Sequence, residues 1–380
     1  MAKYKLGDIA PIQQGSVPES ESYWLLNLDM VESNTGHIYE RLYVPFDKIG
    51  TSTIAFDTNN VLYSKLRPYL NKVVIPDCPG YATSEMLPLK PNKNYITREY
   101  LTYFLRSPKF VAYINEKTSG AKMPRANSSD LKSVEIECPT LENQRHITSE
   151  FDRIISIVRL RQQQLQKLDE LVKARFIELF GDPATNPYGW QQLTVNDVCV
   201  SVVRGPFGSA LKKEFFVPPS DTTYKVYEQK HAIQKSSTIG TYYVTAEKYN
   251  ELRRFECHSG DILMSCSGTM GELYQLPAGC ERGIINQALC KFTLNERILP
   301  IVFLAYMRET IGNLETKGSG IQNIAAVSYV KAMPINLPPM RVQEQYATFV
   351  EQTDKSKVAV QKALDEAQLL FDSLMQKYFG

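Results

Sequence analysis

The chain has 380 residues, with 43 lysines and arginines against 41 aspartates and glutamates, which gives a formal net charge of +2. Its 43% hydrophobic and 22% charged residues are typical of a globular protein and exclude an intrinsically disordered chain. The near-neutral charge does not exclude nucleic-acid binding, because an acidic face can balance a basic one. Seven cysteines without Cys-x-x-Cys spacing, an N-terminus without an apolar core and the lack of a long apolar run predict a cytoplasmic protein without a membrane segment.

Residues 1–142 predict a mixed α+β domain. Short segments at 73–75 and 134–136 are rich in Val and Ile, which is typical of strands. Residues 98–113 lie between turn-forming stretches and predict a helix.

Residues 143–181 predict one long helix. Its apolar residues recur in alternating steps of four and three, which is the seam pattern of a coiled coil. The seam contains Phe151, Val158, Leu165, Leu168 and Val172. One such helix could simply pack on its own domain, so the coiled-coil interpretation depends on a second helix with the same pattern.

The second part of the chain supplies that helix. Residues 182–340 predict another mixed α+β domain, with strands at 242–245 and 262–264 and a helix at 299–314. Residues 341–380 then predict a long helix with the same alternating steps. Its seam contains Val350, Val360, Leu364, Phe371 and Leu374.

The two halves of the sequence repeat one another. The eight residues that end at Gly181 return as the eight that end at Gly380, 199 residues later, and residues 131–144 align with 330–343 at the same shift. We therefore predict an α+β protein with a pseudo-twofold internal repeat, in which two similar domains (1–142 and 182–340) are separated by two long helices (143–181 and 341–380). Helices of matched register predict an antiparallel coiled coil.

The sequence contains no recognisable catalytic motif. It has neither a Gly-x-Gly-x-x-Gly nor a Gly-x-x-x-x-Gly-Lys phosphate loop. The segment from Asn186 to Tyr188 resembles the Asn/Asp-Pro-Pro-Tyr/Phe loop of amino-methyltransferases, but one proline is missing and we interpret it as a turn. Glu228 and Asp261 have no recognisable acid or base partner and are interpreted as solvated carboxylates. The sequence predicts a protein that is not an enzyme.

The cysteines of the second half also do not predict a metal site. Cys257, Cys266, Cys280 and Cys290 lack the closely spaced pairs of structural zinc sites, so we interpret them as free thiols.

Loops that combine glycines with cations and amides occur at matching places in both halves. DNA-reading proteins need cations for phosphate, and Arg, Lys, Asn or Gln for base edges. Each loop alone is typical of an ordinary surface, but two matched sets in a duplicated chain favour DNA binding. The candidate DNA-binding residues are Lys65, Arg67, Ser119, Lys122, Arg125, Arg204, Ser209, Lys212, Lys213, Ser267, Thr269, Lys317, Ser319, Gln322 and Asn323. Lys122, Arg125 and Lys317 lie on glycine-flanked loops where the sequence offers no partner for their charge.

Three motifs resemble the specificity subunits of type I restriction-modification systems. They are Gly-Pro-Phe-Gly-Ser-x-Leu-Lys-Lys at 205–213, Phe-Gly-Asp-Pro with Asn-Pro and Gly-Trp at 180–190, and Pro-x-Leu-x-x-Gln before the first long helix. The corresponding segment before the second long helix departs slightly, reading Pro339-Met-Arg-Val-Gln343. The resemblance covers the full length of the chain.

The resemblance implies two target-recognition domains, each reading one half of a split site in double-stranded DNA. It implies that the paired helices act as a spacer and dock two modification subunits. Those methyltransferase subunits would carry S-adenosylmethionine, so that this chain needs no cofactor of its own, and restriction subunits would join them. Two other classes stay open: a self-sufficient DNA-modifying enzyme, and a coiled-coil interaction scaffold without DNA specificity.

Overall fold

The computed structural model of the chain describes residues 2–120, 122–311 and 327–380. It divides into two compact units, one formed by Met1–Gln164 with Val360–Gly380 and the other by Leu165–Ala359. Within the described residues, no helix combines the length and the hydropathy that crossing a membrane requires.

The elements up to and including the first long helix are, in chain order, β1 (Ala2–Lys5), α1 (Leu6–Ile9), β2 (Tyr23–Leu26), β3 (Leu42–Val44), β4 (Thr53–Phe56), β5 (Val61–Ser64), β6 (Val73–Val74), β7 (Gly80–Thr83), β8 (Met86–Leu89), α2 (Arg98–Arg106), α3 (Pro108–Glu116), α4 (Ser128–Ser133), β9 (Glu135–Cys138) and α5 (Leu141–Phe180).

The elements that follow are β10 (Gln191–Thr194), β11 (Cys199–Arg204), β12 (Thr223–Tyr227), α6 (Gln229–Ile233), β13 (Tyr243–Thr245), α7 (Ala246–Glu251), β14 (Glu256–Cys257), β15 (Ile262–Ser265), β16 (Leu273–Gln275), β17 (Gly283–Ile285), β18 (Leu289–Leu294), α8 (Pro300–Thr310), α9 (Val327–Ala332), β19 (Pro334–Leu337) and α10 (Met340–Phe379). Short 3-10 turns connect several of them.

The internal repeat is visible in the sheets. The first unit has a four-stranded sheet in the order β3-β2-β7-β4, and the second has β13-β12-β17-β14. In both sheets the two central strands run parallel and the outer strands antiparallel. A second sheet, β6-β5-β8, corresponds to the β16-β15-β18 part of a four-stranded sheet that β11 extends beside β18, and the two-stranded pair β1-β9 corresponds to β10-β19. The shared strand order confirms the predicted fold of two similar α+β domains.

One predicted helix is two helices in the structure. The sequence pattern predicts a single helix at 98–113, but α2 ends at Arg106 and α3 begins at Pro108. Pro108 lacks a backbone N–H and cannot continue α2, so it occupies the first turn of α3 instead. Ser107 caps α3, since its side chain accepts a hydrogen bond from the backbone N–H of Phe110.

In the first unit, the N-terminal part of α5 packs antiparallel against the C-terminal part of α10. The ring centroid of Phe151 lies 5.4 Å from that of Phe371, 6.2 Å from that of Tyr378 and 6.0 Å from that of Phe379. The Tyr378 hydroxyl donates a hydrogen bond of 3.0 Å to the Glu150 carboxylate. Phe151 is completely buried, so this contact belongs to the core of the unit.

In the second unit, the C-terminal part of α5 packs antiparallel against the N-terminal part of α10. The ring centroid of Tyr346 lies 5.9 Å from that of Phe176 and 5.1 Å from that of Phe180. Further along, the Lys357 ammonium pairs with Asp169 at 2.6 Å. Both units therefore show the antiparallel pairing that the repeat predicts.

The seam residues lie on the less exposed side of their helices. Phe151, Val350 and Val360 are buried, and the half-buried members are Val158, Leu165, Leu168, Val172, Leu364, Phe371 and Leu374.

A buried glutamine fixes the start of each long helix to its domain. The Gln144 side chain accepts a hydrogen bond from the Thr97 backbone N–H (2.9 Å) and donates to the carbonyl oxygens of Tyr95 (2.8 Å) and Pro139 (3.0 Å). Its equivalent, Gln343, makes the same set of three bonds, to one backbone N–H and two carbonyl oxygens. Both side chains are at most 1% exposed, so these bonds satisfy backbone groups that water does not reach.

Candidate nucleic-acid interface

The candidate residues of the first unit lie on two loops that the structure brings together. One loop follows β5 and carries Lys65 and Arg67, and the other precedes α4 and carries Lys122 and Arg125. The Arg67 backbone N–H donates to the carbonyl of Pro124 at 2.7 Å, and the Lys65 carbonyl accepts from the backbone N–H of the residue after Arg125 at 2.8 Å. The second loop is closed on itself, since Ser119 and Arg125 exchange two backbone hydrogen bonds of 3.1 and 2.9 Å. The two loops therefore form one surface.

Glu85, between β7 and β8, contacts both loops through its side chain. Arg125 donates to the same Glu85 oxygen from Nη2 at 2.8 Å and from Nε at 3.0 Å. The Lys65 ammonium lies 3.9 Å from the other carboxylate oxygen. The hydrogen bonds that Arg125 donates to the Glu85 carboxylate raise the pKa of Arg125 above its ordinary value. The interpretation that Arg125 has no partner for its charge is therefore wrong, and sequence reasoning missed Glu85 because nothing marks it in the turn between β7 and β8.

Arg67 occupies an unusual backbone position. Its φ of 48° and ψ of 65° place it in the left-handed region, directly before Pro68. This conformation costs a residue with a side chain about 1 kcal/mol or more, and such strain is concentrated at functional sites. The Arg67 side chain is exposed, as is that of Lys122. Neither makes an ion pair within the part of the chain that the structure describes.

In the second unit, the Arg204 loop is held against the first residue of β18. Arg204 is the last residue of β11, and its guanidinium lies 5.1 Å from the ring centroid of Phe207, a cation–π contact with a side chain that is 66% exposed. The backbone N–H of Gly205 donates to the carbonyl of Leu289 at 3.0 Å. A Cβ at Gly205 would lie 1.9 Å from the Asn286 carbonyl oxygen, so only glycine allows this close approach.

The rest of this loop contains both buried and exposed side chains. Leu211 is 6% exposed and belongs to the hydrophobic core that covers one face of the β13-β12-β17-β14 sheet. Ser209, Lys212 and Lys213 around it are exposed, and Lys212 makes a surface ion pair of 3.6 Å with Glu214. The motif at 205–213 thus combines a buried anchor with exposed polar side chains.

The loop between β15 and β16 carries Ser267 and Thr269, and the side chain of Gln229 at the start of α6 holds it. The Gln229 amide donates to the carbonyl oxygen of Ser267, and at 3.3 Å to that of Thr269. The Ser265 hydroxyl donates to the same Thr269 carbonyl at 2.6 Å. Because these bonds use the loop's carbonyl oxygens, they leave the Ser267 and Thr269 hydroxyls available to a ligand. The sequence did not single out Gln229.

Four candidates, Lys317, Ser319, Gln322 and Asn323, lie outside the described residues.

The titratable groups beneath these loops have structural partners. Asp261 is only 3% exposed, which corrects its interpretation as a solvated carboxylate, and it pairs with Lys291 at 3.2 Å. Burial lowers the pKa of His231, whose two ring nitrogens bond to the backbone of Glu228 and Ile239. Such a neutral, satisfied histidine is a packing group.

Three of the seven thiols are likewise held protonated. Burial raises the pKa of Cys138 to about 11 and that of Cys199 to about 12, and it raises the pKa of the fully buried Cys257. Thiols in such apolar surroundings are poor nucleophiles. Among the described residues, no group of three or more His, Cys, Asp and Glu side chains is arranged to hold a metal ion.

The chain is similar to known proteins over most of its length. A family model described as the type I restriction modification DNA specificity domain matches residues 1–170 and 187–367. The chain is 25% identical over 126 residues to the type I restriction enzyme EcoDI specificity subunit of Escherichia coli, which covers 33% of this chain and 28% of that protein. It is 23% identical over 300 residues to the putative type I restriction enzyme MjaX specificity subunit of Methanocaldococcus jannaschii, which covers 73% of this chain and 68% of that protein.

Two solved structures share the fold along 100% of this chain. One comes from a study of complex assembly and conformational transition of the type I R-M system, with a TM-score of 0.69, 17% identity and 97% of that chain covered. The other is the type I restriction-modification S subunit from M. genitalium, with a TM-score of 0.55, 14% identity and 96% covered. Since the family model matches both halves of the repeat, this chain belongs to the family of type I restriction-modification DNA specificity domains.

Proposed function

We propose that this chain is the DNA-reading specificity subunit of a type I restriction-modification complex, and that each unit reads one half of a split site in double-stranded DNA. One observation carries the proposal: each copy of the repeated domain places a cation-bearing loop and a second polar loop beside its β-sheet. Cations supply phosphate contacts, while amides and hydroxyls supply base-edge contacts.

We propose that the chain itself is non-catalytic and works in the cytoplasm with two modification subunits and with restriction subunits. The modification subunits would bind S-adenosylmethionine and methylate adenine, so that this chain needs no cofactor. The outer sides of the long helices support a docking role, because they expose large apolar side chains. On the stretches of α5 and α10 in the first unit these are Ile155, Ile157, Leu160, Leu369 and Leu370, which are between 40% and 72% exposed. We infer that partner subunits cover these exposed apolar side chains.

The experiment that tests the proposal compares the purified chain alone with the chain reconstituted with its modification subunits. The complex should methylate adenines in one bipartite sequence, and the chain alone should neither methylate nor cleave DNA. Methyl transfer by the chain alone would support the self-sufficient enzyme. A complex whose methylation pattern did not depend on this chain would support the scaffold without DNA specificity.

A further inference from the structure

The cations of the first unit's two loops divide into two classes. Lys65 and Arg125 both face Glu85, whereas Arg67 and Lys122 are exposed and make no ion pair within the described part of the chain. On sequence alone, all four residues are candidate DNA contacts. The ion pairs of the folded chain separate them into the two classes.

All three guanidinium nitrogens of Arg125 are already engaged. Nε and Nη2 bond to Glu85, and Nη1 donates to the carbonyl oxygen of Met123 at 3.3 Å. The Glu85 side chain is 22% exposed and that of Arg125 is 43% exposed, so the pair lies partly below the surface. A two-pronged contact from Arg125 to a guanine edge or a phosphate through Nε and Nη2 would have to break the pair with Glu85, and one through the remaining hydrogens of Nη1 and Nη2 would have to compete with the Met123 carbonyl oxygen.

Arg67, in contrast, is held through its backbone, and its side chain is left exposed. Its N–H donates to Pro124 on the other loop, and its carbonyl accepts from the N–H of Leu70 at 2.9 Å. The position of Arg67 thus depends on how the two loops are joined, and the joint is the pair between Glu85 and Arg125 together with the backbone bonds around it. A strained left-handed residue that keeps a long cationic side chain, where glycine would be unstrained, indicates that the side chain has a use.

We propose that Glu85 is a positioning residue of the first recognition unit. Through Arg125 and Lys65 it locks the two loops together, and the locked loops present Arg67 and Lys122 to the phosphates of double-stranded DNA. This inference rests on the proposed DNA-reading function and assigns separate roles within it: Arg67 and Lys122 contact DNA, and Glu85, Arg125 and Lys65 position them.

The test uses the full chain in complex with its modification subunits. The probes are a duplex carrying the methylated sequence found for the wild type and a duplex with the first half-site scrambled. Arg67→Gly should weaken binding to the intact site roughly tenfold or more, which is the loss expected for one charge-assisted contact. It should also reduce the slope of log affinity against log salt by about one and leave the melting temperature unchanged or raised. Lys122→Ala should lower the slope in the same way, and Lys93→Ala, an exposed cation on another loop, should change neither.

Variants of the pair between Glu85 and Arg125 should change DNA binding in a different way. Glu85→Gln should reduce the ratio of affinities between the intact and the scrambled site about tenfold, because loosened loops no longer hold the phosphate contacts that fix the register in which the bases are read. It should not reduce the salt slope, because it releases a cation while it loosens the loops. Arg125→Glu should also lose this discrimination, and adding Glu85→Arg to it should restore most of the ratio by re-forming the pair with its charges exchanged.

Two results would overturn the inference. One is a Glu85→Gln complex that binds more tightly and keeps its full discrimination, which would make Arg125 itself the DNA contact. The other is an exchanged pair that folds, as judged by its melting temperature, but stays as impaired as Arg125→Glu. If Arg125→Glu does not fold, Glu85→Gln alone decides between the two roles. A wild-type complex that fails to distinguish the intact from the scrambled site would instead refute the proposed function.

Discussion

Replacing Gln144 with leucine should destabilise the first unit by about 3–5 kcal/mol. The side chain is completely buried and satisfies one backbone N–H and two carbonyl oxygens. Leucine has a similar size and no polar atoms, so all three backbone groups lose their partner. Each buried group left unsatisfied costs about 1–3 kcal/mol, and carbonyl oxygens, which tolerate loss better, fall at the low end.

The two tryptophans make this prediction measurable in each unit separately. Trp24 lies in the first unit and Trp190 in the second, so variants that keep only one of them report on one unit at a time. With a slope of roughly 2–3 kcal/mol per molar urea for a unit of this size, Gln144→Leu should lower the midpoint seen by Trp24 by about 1–2.5 M.

Two further variants control this experiment. Gln343→Leu should produce a shift of similar size in the Trp190 signal, because its three hydrogen bonds are equivalent. Gln163→Leu, on the exposed side of α5, should change stability by less than about 0.5 kcal/mol. A midpoint for Gln144→Leu as high as that of Gln163→Leu would refute the reasoning that the buried amide fixes the helix to its domain.

Two other predictions concern the second unit. Glu281 is partly desolvated, which by itself raises its pKa, but its bonds to Lys225 and Tyr243 outweigh this and hold the pKa below its ordinary value. The stabilisation that Glu281 contributes through these bonds is therefore fully present above the ordinary carboxyl pKa of about 4.5. It is lost as the pH falls through the lower pKa that Glu281 has in the folded chain. Urea titrations read by Trp190 should show this acid loss, and Glu281→Gln should remove that part of the pH dependence; an unchanged profile would contradict it. Gly205→Ala should abolish discrimination of the second half-site in a binding assay, because its Cβ collides with the Asn286 carbonyl, whereas Gly50→Ala, which has open space around it, should be silent.

Much of the fold could be predicted from the internal repeat of the sequence. Residues that recur at a constant shift predict the antiparallel helix pair and the two similar domains, because the four-three apolar pattern and the strand composition are local signals. The break at Pro108 was also encoded locally, but the apolar pattern on either side of it outweighed the proline in our interpretation.

The site was less predictable, because its partners are far apart in the sequence. Arg125 lies 40 residues from Glu85, and the buried Asp261 lies 30 residues from Lys291, so only the folded chain shows that these charges are compensated. The sequence identified the loops of the first unit as polar segments with counterparts in the second half, but it could not separate the cations that pair with Glu85 from those that are exposed.

The most direct test of the proposed function is an exchange of recognition units. Residues 1–142 would be replaced by the corresponding residues of a relative with another target, the hybrid would be expressed with its modification subunits, and methylated adenines would be mapped across the host genome. Independent reading by two units predicts that one half of the methylated site changes to that of the relative while the other half stays the same. A change in both halves, or in neither, by a hybrid that still methylates would contradict it.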